Sequence, residues 1–210
     1  MTSQKIIKFN KKTSDINKLV KLLLVGEVVA APTETAYGLL SLAIDKKAVA
    51  KVYKIKGREL GKPCPIIISD LKTAKKYFYF GTKELILAEK FWPGPLTLVL
   101  KPRQNNWPKQ IINKYGKVGV RVPGLVWLRK LLQAINLPLT ATSANIAGQP
   151  TLYSYQKVVA ALAPKKLKFI VTGVALKPKP TSTVVEFVKG ELVIHRAGTI
   201  MGEKIIRSLF

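Results

Sequence analysis

The stretch VVAAPTETAYGL, residues 28–39, guides the interpretation of the rest of the chain. Its first four residues are small or β-branched and apolar, which is typical of a buried strand. An apolar pattern at helical spacing precedes it, with Thr13 or Ser14 as the helix cap and Gly26 as the end of the helix. The rest, PTETAYGL, is predicted to be a loop of hydroxyls at a strand end, where ligands often bind. An ordinary polar turn would have the same pattern, so both interpretations stay open.

Outward from this unit, strands and helices mix along the whole chain. Further strands are predicted at residues 5–9, 64–69, 96–100, 118–123, 137–143, 168–173, 182–187 and 191–195. Further helices are predicted at about residues 45–54, 70–78, 82–91, 124–135, 153–162 and 201–209. The strand-rich second half indicates an α/β fold with an open twisted mixed sheet flanked by helices. A single domain over residues 1–210 is expected, in which the Pro-rich segment at 177–180 shapes a site loop.

The charge of the chain points to anionic partners. Lys and Arg number 36 against 11 Asp and Glu, which gives a formal net charge of +25. Such a field attracts nucleic acids and nucleotides. A lysine-rich proteome would also explain it, because the lysines are spread along the chain instead of forming one run, and both explanations stay open.

Cysteine and histidine usage excludes several kinds of site. The lone Cys64 cannot form an internal disulfide, and with the lone His195 it leaves no cluster that could hold zinc. Cys64 lies in an apolar run and is predicted to be a core residue of a strand. His195 lies in an alternating segment and is predicted to be a half-exposed strand residue rather than part of a Ser-His-acid triad.

No membrane segment or secretory signal is expected. The apolar stretch at residues 19–32 is interrupted by Lys21, Gly26 and Glu27, and no stretch reaches the length of a transmembrane helix. A cytoplasmic location is therefore expected.

Two segments supply candidate cations. The segment KIKGRELGKP, residues 54–63, contains several lysines and Arg58 next to two glycines. This combination predicts a phosphate clamp, and a solvated helix end is the alternative. VGVRVP, residues 118–123, places Arg121 inside an apolar strand, where a buried guanidinium needs an anion. Because acidic residues are few, a ligand anion is favoured over a protein carboxylate.

Hydroxyl and amide groups complete the candidate set. TATSANIAGQP, residues 140–150, ends a strand in groups suited to a nucleotide, although a capping turn would look similar. Arg196 lies at a presumed strand end and could face solvent. The sequence has no Walker loop, dinucleotide fingerprint or paired carboxylates, so catalysis would rest on cations and hydroxyls that position anions.

These segments together resemble the YrdC-domain family, and within it the L-threonylcarbamoyladenylate synthases of the TsaC type, in the short form. The resemblance spans nearly the whole chain, and its motifs occur in the family's order. They are PTETAYGL, KGR at 56–58, WPGPLTLVL, VGVRVP, TSAN at 142–145, STVV at 182–185 and HRAG at 195–198. The chain departs from the family at Glu59, where proline is common, and at Ala147, where serine is frequent.

The resemblance implies an open mixed α/β fold with a deep basic cavity, and a nucleotidyltransferase reaction. L-Threonine, bicarbonate and ATP would give threonylcarbamoyl-AMP and pyrophosphate, and partner proteins would use the product to modify tRNA. Mg²⁺ would enter with ATP, bound mainly through its phosphates. The threonine-binding candidates are Thr33, Tyr37, Arg121 and Ser182. The nucleotide-binding candidates are Lys56, Arg58, Lys62, Thr142, Ser143, Asn145 and Arg196. The catalytic candidates are Lys56, Arg58 and Arg121.

Two rival readings remain from the sequence. A relative of the YciO kind would share the fold and the basic cavity but bind tRNA or double-stranded RNA without synthase activity, which the +25 charge would suit. A carbamoyl-transfer module of the hydrogenase-maturation type is less favoured, because such modules usually occur in much longer chains.

Overall fold

The computed structural model describes residues 5–10, 12–173 and 176–210, and it confirms the mixed α/β class. The strands are β1 (Lys5–Lys8), β2 (Val29–Pro32), β3 (Tyr37–Leu40), β4 (Ile66–Ile67), β5 (Leu96–Leu100), β6 (Val118–Arg121), β7 (Leu139–Thr140), β8 (Thr142–Ser143), β9 (Phe169–Thr172), β10 (Thr183–Val188) and β11 (Glu191–Arg196). The helices are α1 (Thr13–Leu24), α2 (Lys46–Lys56), α3 (Leu71–Tyr77), α4 (Thr82–Phe91), α5 (Val126–Ile135), α6 (Tyr155–Leu162) and α7 (Gly202–Ile206). Within the described ranges, no helix combines the length and the apolar character needed to cross a bilayer.

The strands divide into two mixed sheets. One has the order β1-β9-β2-β3-β8, with parallel pairs at its β1 side and antiparallel pairs at its β8 side. The other has the order β11-β10-β5-β6-β4-β7, in which β10 pairs with β5 and β4 with β6 in parallel. The expected mixture of parallel and antiparallel pairing is therefore present in both sheets.

The segment predicted as one strand at 137–143 connects the two sheets. Its first part, β7, pairs with β4 of the six-stranded sheet, whereas β8 pairs with β3 of the five-stranded sheet. Ala141 lies between them and donates its backbone N–H to the carbonyl of Pro65, 2.9 Å away. The chain thus changes sheets within a single residue, which the sequence pattern of this segment did not reveal.

The predicted loop at 32–39 is instead a β-hairpin. Pro32 pairs with Tyr37, and β3 continues antiparallel to β2. Only residues 33–36 form the turn, closed by the backbone N–H of Thr33 donating to the carbonyl of Ala36 at 2.8 Å. The strand was missed because Tyr37–Leu40 is buried on both sides and so lacks the alternation that marks a half-exposed strand.

Helix α1 begins and ends by different means. Neither Thr13 nor Ser14 is the cap, because the helix already starts at Thr13. The Asp15 carboxylate instead accepts the backbone N–H groups of Asn10 at 2.8 Å and Lys12 at 3.3 Å. The predicted end is confirmed: Gly26 has a φ of 74°, a left-handed conformation that glycine adopts without strain.

Other elements match the predictions with shifted ends. The predicted strand at 64–69 shortens to β4, since Pro63 and Pro65 have no backbone N–H to give to a ladder. Cys64 is fully buried, as predicted, but lies just before that strand. The helix predicted at 201–209 shortens to α7.

A cluster of apolar side chains holds the two sheets together. Helices α1 and α5 pack against each other and contribute Leu23, Leu128 and Leu131 to it. The cluster also includes Leu40 of the five-stranded sheet and Ile67 of the six-stranded sheet. The same packing therefore fixes where the edges of the sheets meet.

Shortening Leu128 should destabilise the fold. We expect Leu128→Ala to lower the free energy of unfolding by about 2–5 kcal/mol, because Leu128 is fully buried and the change leaves a cavity. Val126→Ala is the matched control in the same helix, since Val126 is 58% exposed and should change the value by at most about 0.5 kcal/mol. Urea unfolding followed by circular dichroism measures both, and equal losses would contradict the proposed role of the cluster.

Candidate active site

A cavity of about 140 Å³ is lined by both sheets and by the connecting residue Ala141. The β2–β3 hairpin and β8 form its wall on the five-stranded side. Strands β4, β5 and β6 contribute Ile66, Thr97 and Arg121 on the six-stranded side. The cavity thus lies where the two sheets meet.

Most of the predicted site residues converge on this cavity although they are scattered along the sequence. Those that line it are Thr33, Tyr37, Arg58, Arg121, Thr142, Ser143, Ser182 and Arg196. The structure therefore brings three arginines and a set of hydroxyls into one site, as the sequence predicted.

Arg58 is held by carbonyl groups of the segment that follows it. Its Nε donates to the Lys62 carbonyl at 2.9 Å and its Nη2 to the Pro63 carbonyl at 3.0 Å, while Nη1 reaches Thr142 Oγ1 at 3.2 Å. Gly57 ends α2 with a φ of 59°, so the chain turns sharply before Arg58. The guanidinium is therefore oriented before any ligand arrives.

Arg121 has a carboxylate partner from the protein, which corrects the expectation of a ligand anion. It is 6% exposed, and its Nη1 pairs with Glu34 Oε1. The β2–β3 hairpin carries Glu34 across to β6, a proximity that depends on the strand missed in the sequence. Glu34 Oε2 is buried and has no hydrogen-bond partner in the described part of the chain.

Arg196 is anchored to Ser182 despite its exposed position at the end of β11. Its Nε and Nη2 donate to the Ser182 carbonyl at 3.0 and 2.9 Å, and Nη2 also donates to Ser182 Oγ at 2.9 Å. Partial burial lowers the pKa of Arg196, and the charges of Arg121 and Arg58 lower it further. The three arginines therefore repel one another, and an anion bound between them would relieve that repulsion.

Thr33 and Tyr37 border the cavity, but their hydroxyls bond within the fold. Thr33 Oγ1 donates to the Ala36 carbonyl at 2.8 Å, which stabilises the hairpin turn. The Tyr37 hydroxyl donates to the Val171 carbonyl at 3.0 Å, and burial raises its pKa to about 12. A contact of either hydroxyl with threonine stays a prediction.

Lys56 and Asn145 lie behind the cavity wall. Lys56 is 1% exposed, and its Nζ donates to the carbonyl of Ser143 and to both the carbonyl and the side-chain oxygen of Asn145, at 2.9 and 3.0 Å. Burial, followed by the charge of Arg58, lowers the pKa of Lys56 to about 8. The two residues fix the turn that presents Ser143.

Lys62 lies outside the cavity. Its side chain is 67% exposed, and its Nζ is 3.2 Å from Glu59 Oε2. Of the predicted clamp, Arg58 alone lines the cavity. The departure at Glu59 noted in the sequence therefore affects a surface ion pair instead of the wall.

Sequence reasoning missed several threonines of the cavity wall. Thr97 is 3% exposed within the apolar strand β5, and its Oγ1 is 2.9 Å from Ser182 Oγ. A lone hydroxyl in an apolar strand was the available signal, since the same logic had selected Arg121. Thr151 and Thr181 also line the cavity, but they lie outside regular strands and gave no such signal. Thr35 lines it as well and belongs to the hydroxyl-rich segment PTETAYGL that the sequence had marked as a candidate ligand loop.

The cavity lining suits the binding of anions better than nucleophilic catalysis. Its charged groups are guanidiniums, and its neutral polar groups are hydroxyls. Cys64 is buried and burial raises its pKa to about 11, so it is a thiol of the core. His195 lies on β11, as predicted, and is exposed outside this cavity.

Fold and site together define a mixed α/β protein with an arginine-rich cavity between two sheets. The chain belongs to the Sua5/YciO/YrdC family, whose model, described as telomere recombination, matches residues 21–198. A provisionally named threonylcarbamoyl-AMP synthase of Methanocaldococcus jannaschii is 32% identical over 97% of both chains. The threonylcarbamoyl-AMP synthase of Pyrococcus abyssi is 35% identical over 86% of this chain, which spans 53% of that relative.

Solved structures agree with this assignment. Pyrococcus abyssi Sua5 complexed with L-threonine has a TM-score of 0.87 and 31% identity, over 97% of this chain and 59% of that one. Escherichia coli YciO has a TM-score of 0.85 over 98% of this chain and all of that one, but at 24% identity it shows the fold alone.

The buried lysine provides a test of the site's architecture through pH. The pKa of Lys56 is about 8 in the folded chain and 10.5 by the ordinary value, so the unfolded state binds more protons between these pH values. Relative to Lys56→Met, the wild type should therefore gain stability as pH rises from about 8 to 10.5, by up to about 1.4 kcal/mol per pH unit. Urea unfolding at several pH values measures the difference, with the exposed Lys54→Met in the same helix as the control. A pH-independent difference would show that Lys56 keeps its ordinary pKa.

Proposed function

We propose that this chain is a threonylcarbamoyl-AMP synthase that joins L-threonine, bicarbonate and ATP and releases pyrophosphate. The convergence of Arg58, Arg121 and Arg196 with hydroxyls in one cavity carries the proposal. The names of the relatives and the threonine complex of Pyrococcus abyssi Sua5 support the amino acid and the product. The product would pass to partner proteins that modify tRNA.

The proposed reaction brings together bicarbonate, the carboxylate of threonine and the phosphates of ATP, whose negative charges repel one another. The threonine nitrogen would attack the bicarbonate carbon, and the hydroxyl of bicarbonate would leave as water together with a proton of the amine. An oxygen of the resulting carbamate would attack the α-phosphorus of ATP. A new phosphorus–oxygen bond forms, the bond to the β-phosphate breaks, and pyrophosphate leaves with the electron pair, which makes the enzyme a nucleotidyltransferase. Fixed guanidiniums lower the barrier by neutralising charge at the reacting centre and by holding the reactants together.

The geometry suggests a division of labour in the cavity. Arg121 would bind the threonine carboxylate while it keeps its ion pair with Glu34, and Ser182 lies on the same side of the site. Arg58 and Arg196 would hold the nucleotide phosphates, with Thr142 and Ser143 as neutral donors. Lys56 and Asn145 would act by holding Ser143 in place.

We propose that Mg²⁺ enters the cavity bound to ATP. The cationic and hydroxyl side chains of the cavity wall do not form a magnesium site of their own, since Mg²⁺ prefers carboxylate and phosphate oxygens. The phosphates of ATP would supply most of the ligands of the Mg²⁺ ion.

Removing either central arginine tests the proposed site. We expect Arg58→Ala and Arg121→Ala each to lower the rate of pyrophosphate release by well over tenfold, because losing one charge contact to the transition state costs roughly 2–4 kcal/mol. Arg207→Ala removes the same charge from an exposed position after α7 and should be near wild type. The assay measures pyrophosphate release from ATP with threonine and bicarbonate present together or omitted singly. Normal turnover by both folded cavity variants would refute the site.

An RNA-binding function without synthase activity is the second candidate. The net charge of +25 favours it, as does a separate groove where lysines surround Glu27. Those lysines are Lys51, Lys54, Lys165, Lys166 and Lys168. This candidate predicts salt-sensitive RNA binding with no threonine-dependent pyrophosphate release, so the same assay separates the two functions.

A further inference from the structure

A groove of about 230 Å³ lies at the other end of β2 from the arginine-lined cavity. Three segments line it: residues 27–28 before β2, the second half of α2, and residues 165, 166 and 168 before β9. Its wall has the single carboxylate of Glu27 and five lysines, which are Lys51, Lys54, Lys165, Lys166 and Lys168. This lysine groove therefore has four more positive charges than negative ones.

The carboxylate of Glu27 compensates its neighbours only in part. Its oxygens are 3.8 Å from Lys51 Nζ and 3.7 Å from Lys168 Nζ. Both distances exceed the length of a charge-assisted hydrogen bond, about 2.7–2.9 Å. Lys51 Nζ instead donates to the carbonyl of Gly26 at 2.8 Å. The exposed lysines that form no ion pair with any described residue are Lys54, Lys165 and Lys166. The groove thus has ammonium groups that can pair with an anionic partner.

The floor of the lysine groove is apolar. It is formed by Val28, which is 3% exposed, and by Ile55, which is 6% exposed. The methylene stems of the lysines extend this apolar surface toward the rim. Lys166 has a φ of 65°, a left-handed conformation that glycine adopts more readily than lysine, and the chain turns there between α6 and β9. The groove therefore combines an apolar base with a rim of ammonium groups.

We propose that the lysine groove docks an acidic segment of a partner protein. Carboxylates of that segment pair with the ammonium groups of the rim, and one of its apolar side chains lies on the floor. Its backbone N–H groups can donate to Glu27, whose carboxylate has lone pairs left for them. The inference does not depend on the synthase activity, because the groove shares no residue with the cavity that carries that proposal.

Duplex RNA matches the groove less well, although the positive charge alone would attract it. In the described part of the chain, no arginine or aromatic side chain lines the groove, and these are the groups on which bases stack. The phosphate backbone also has no N–H donor for Glu27 and no apolar group for Val28 and Ile55. An acidic protein segment supplies the carboxylates, the N–H donors and the apolar side chain together.

The position of the lysine groove leaves the arginine-lined cavity open. Val28 lies just before β2 and lines the groove, whereas Thr33 lies just after β2 and lines the cavity. Because β2 has four residues, the two sites are about 13 Å apart along the strand. A partner held in the groove would therefore stand beside the cavity without closing it.

Fluorescence anisotropy with labelled probes at physiological salt tests the proposal. The first probe is a synthetic peptide in which single leucines alternate with pairs of glutamates, the second has serine in place of each leucine, and the third is a short RNA duplex. The double variant Lys54→Glu, Lys165→Glu should bind the leucine peptide at least about tenfold more weakly than the wild type, because attraction at the rim becomes repulsion. The control Lys109→Glu, Lys130→Glu reverses two exposed charges that do not line the groove and should change binding by less than about twofold. The serine peptide should bind the wild type more weakly than the leucine peptide.

Several results would overturn the inference. Equal losses in the two double variants would show that binding follows the net charge of the chain instead of the groove. Equal affinity for the leucine and serine peptides would leave the apolar floor without a role, and absence of peptide binding to the wild type would leave the groove without this kind of partner. RNA binding that is lost in Lys54→Glu, Lys165→Glu, without peptide binding, would assign the groove to nucleic acid. Because the peptides are titrated without ATP or threonine, the result stands whether or not the chain is a synthase.

Discussion

Mutual repulsion among three guanidiniums is the constraint on which the rest of this structure depends. Arg58, Arg121 and Arg196 line one small cavity, and each must be held there without a full set of counter-charges. Two of them are held by neutral acceptors, because Arg58 bonds to backbone carbonyls and Arg196 to the carbonyl and hydroxyl of Ser182. Arg121 is the most buried of the three and has the carboxylate of Glu34. The site thus keeps a positive field while it avoids an isolated buried charge.

The fold supplies that arrangement by joining two sheets at their edges. The chain crosses from one sheet to the other at Ala141, so hydroxyls of β8 come to face the arginine of β6. Helices α1 and α5 pack beneath both sheets and keep this junction closed. Because packed interiors resist small displacements, the cations stay close despite their repulsion. The packing of the apolar core therefore provides the stability that keeps the three arginines close together.

The sequence predicted the elements of the fold better than the contacts between them. Hydrophobic periodicity and the positions of glycine and proline identified nearly all helices and strands, and the cost of a buried guanidinium singled out Arg121, which lines the cavity. Its partner could not be inferred, because Glu34 reaches it only through a hairpin whose second strand has no alternating pattern. Lys56 was selected for its charge, yet its three oxygen acceptors come from a turn distant in sequence. Local patterns specify elements, whereas contacts between distant segments depend on how the sheets join.

The same limit explains why the cluster around Glu186 escaped the sequence. Lys117 and His195 belong to different strands, and a bulge of one residue decides that His195 faces Lys117. A one-residue change of register would turn that ring to the opposite face. The Glu186 carboxylate compensates the charge of Lys117, whose Nζ lies 2.5 Å from one of its oxygens. A cation that is already paired costs less to bury than a free one, so the cluster keeps a positive group beside Arg58 and Arg196 without adding its full repulsion.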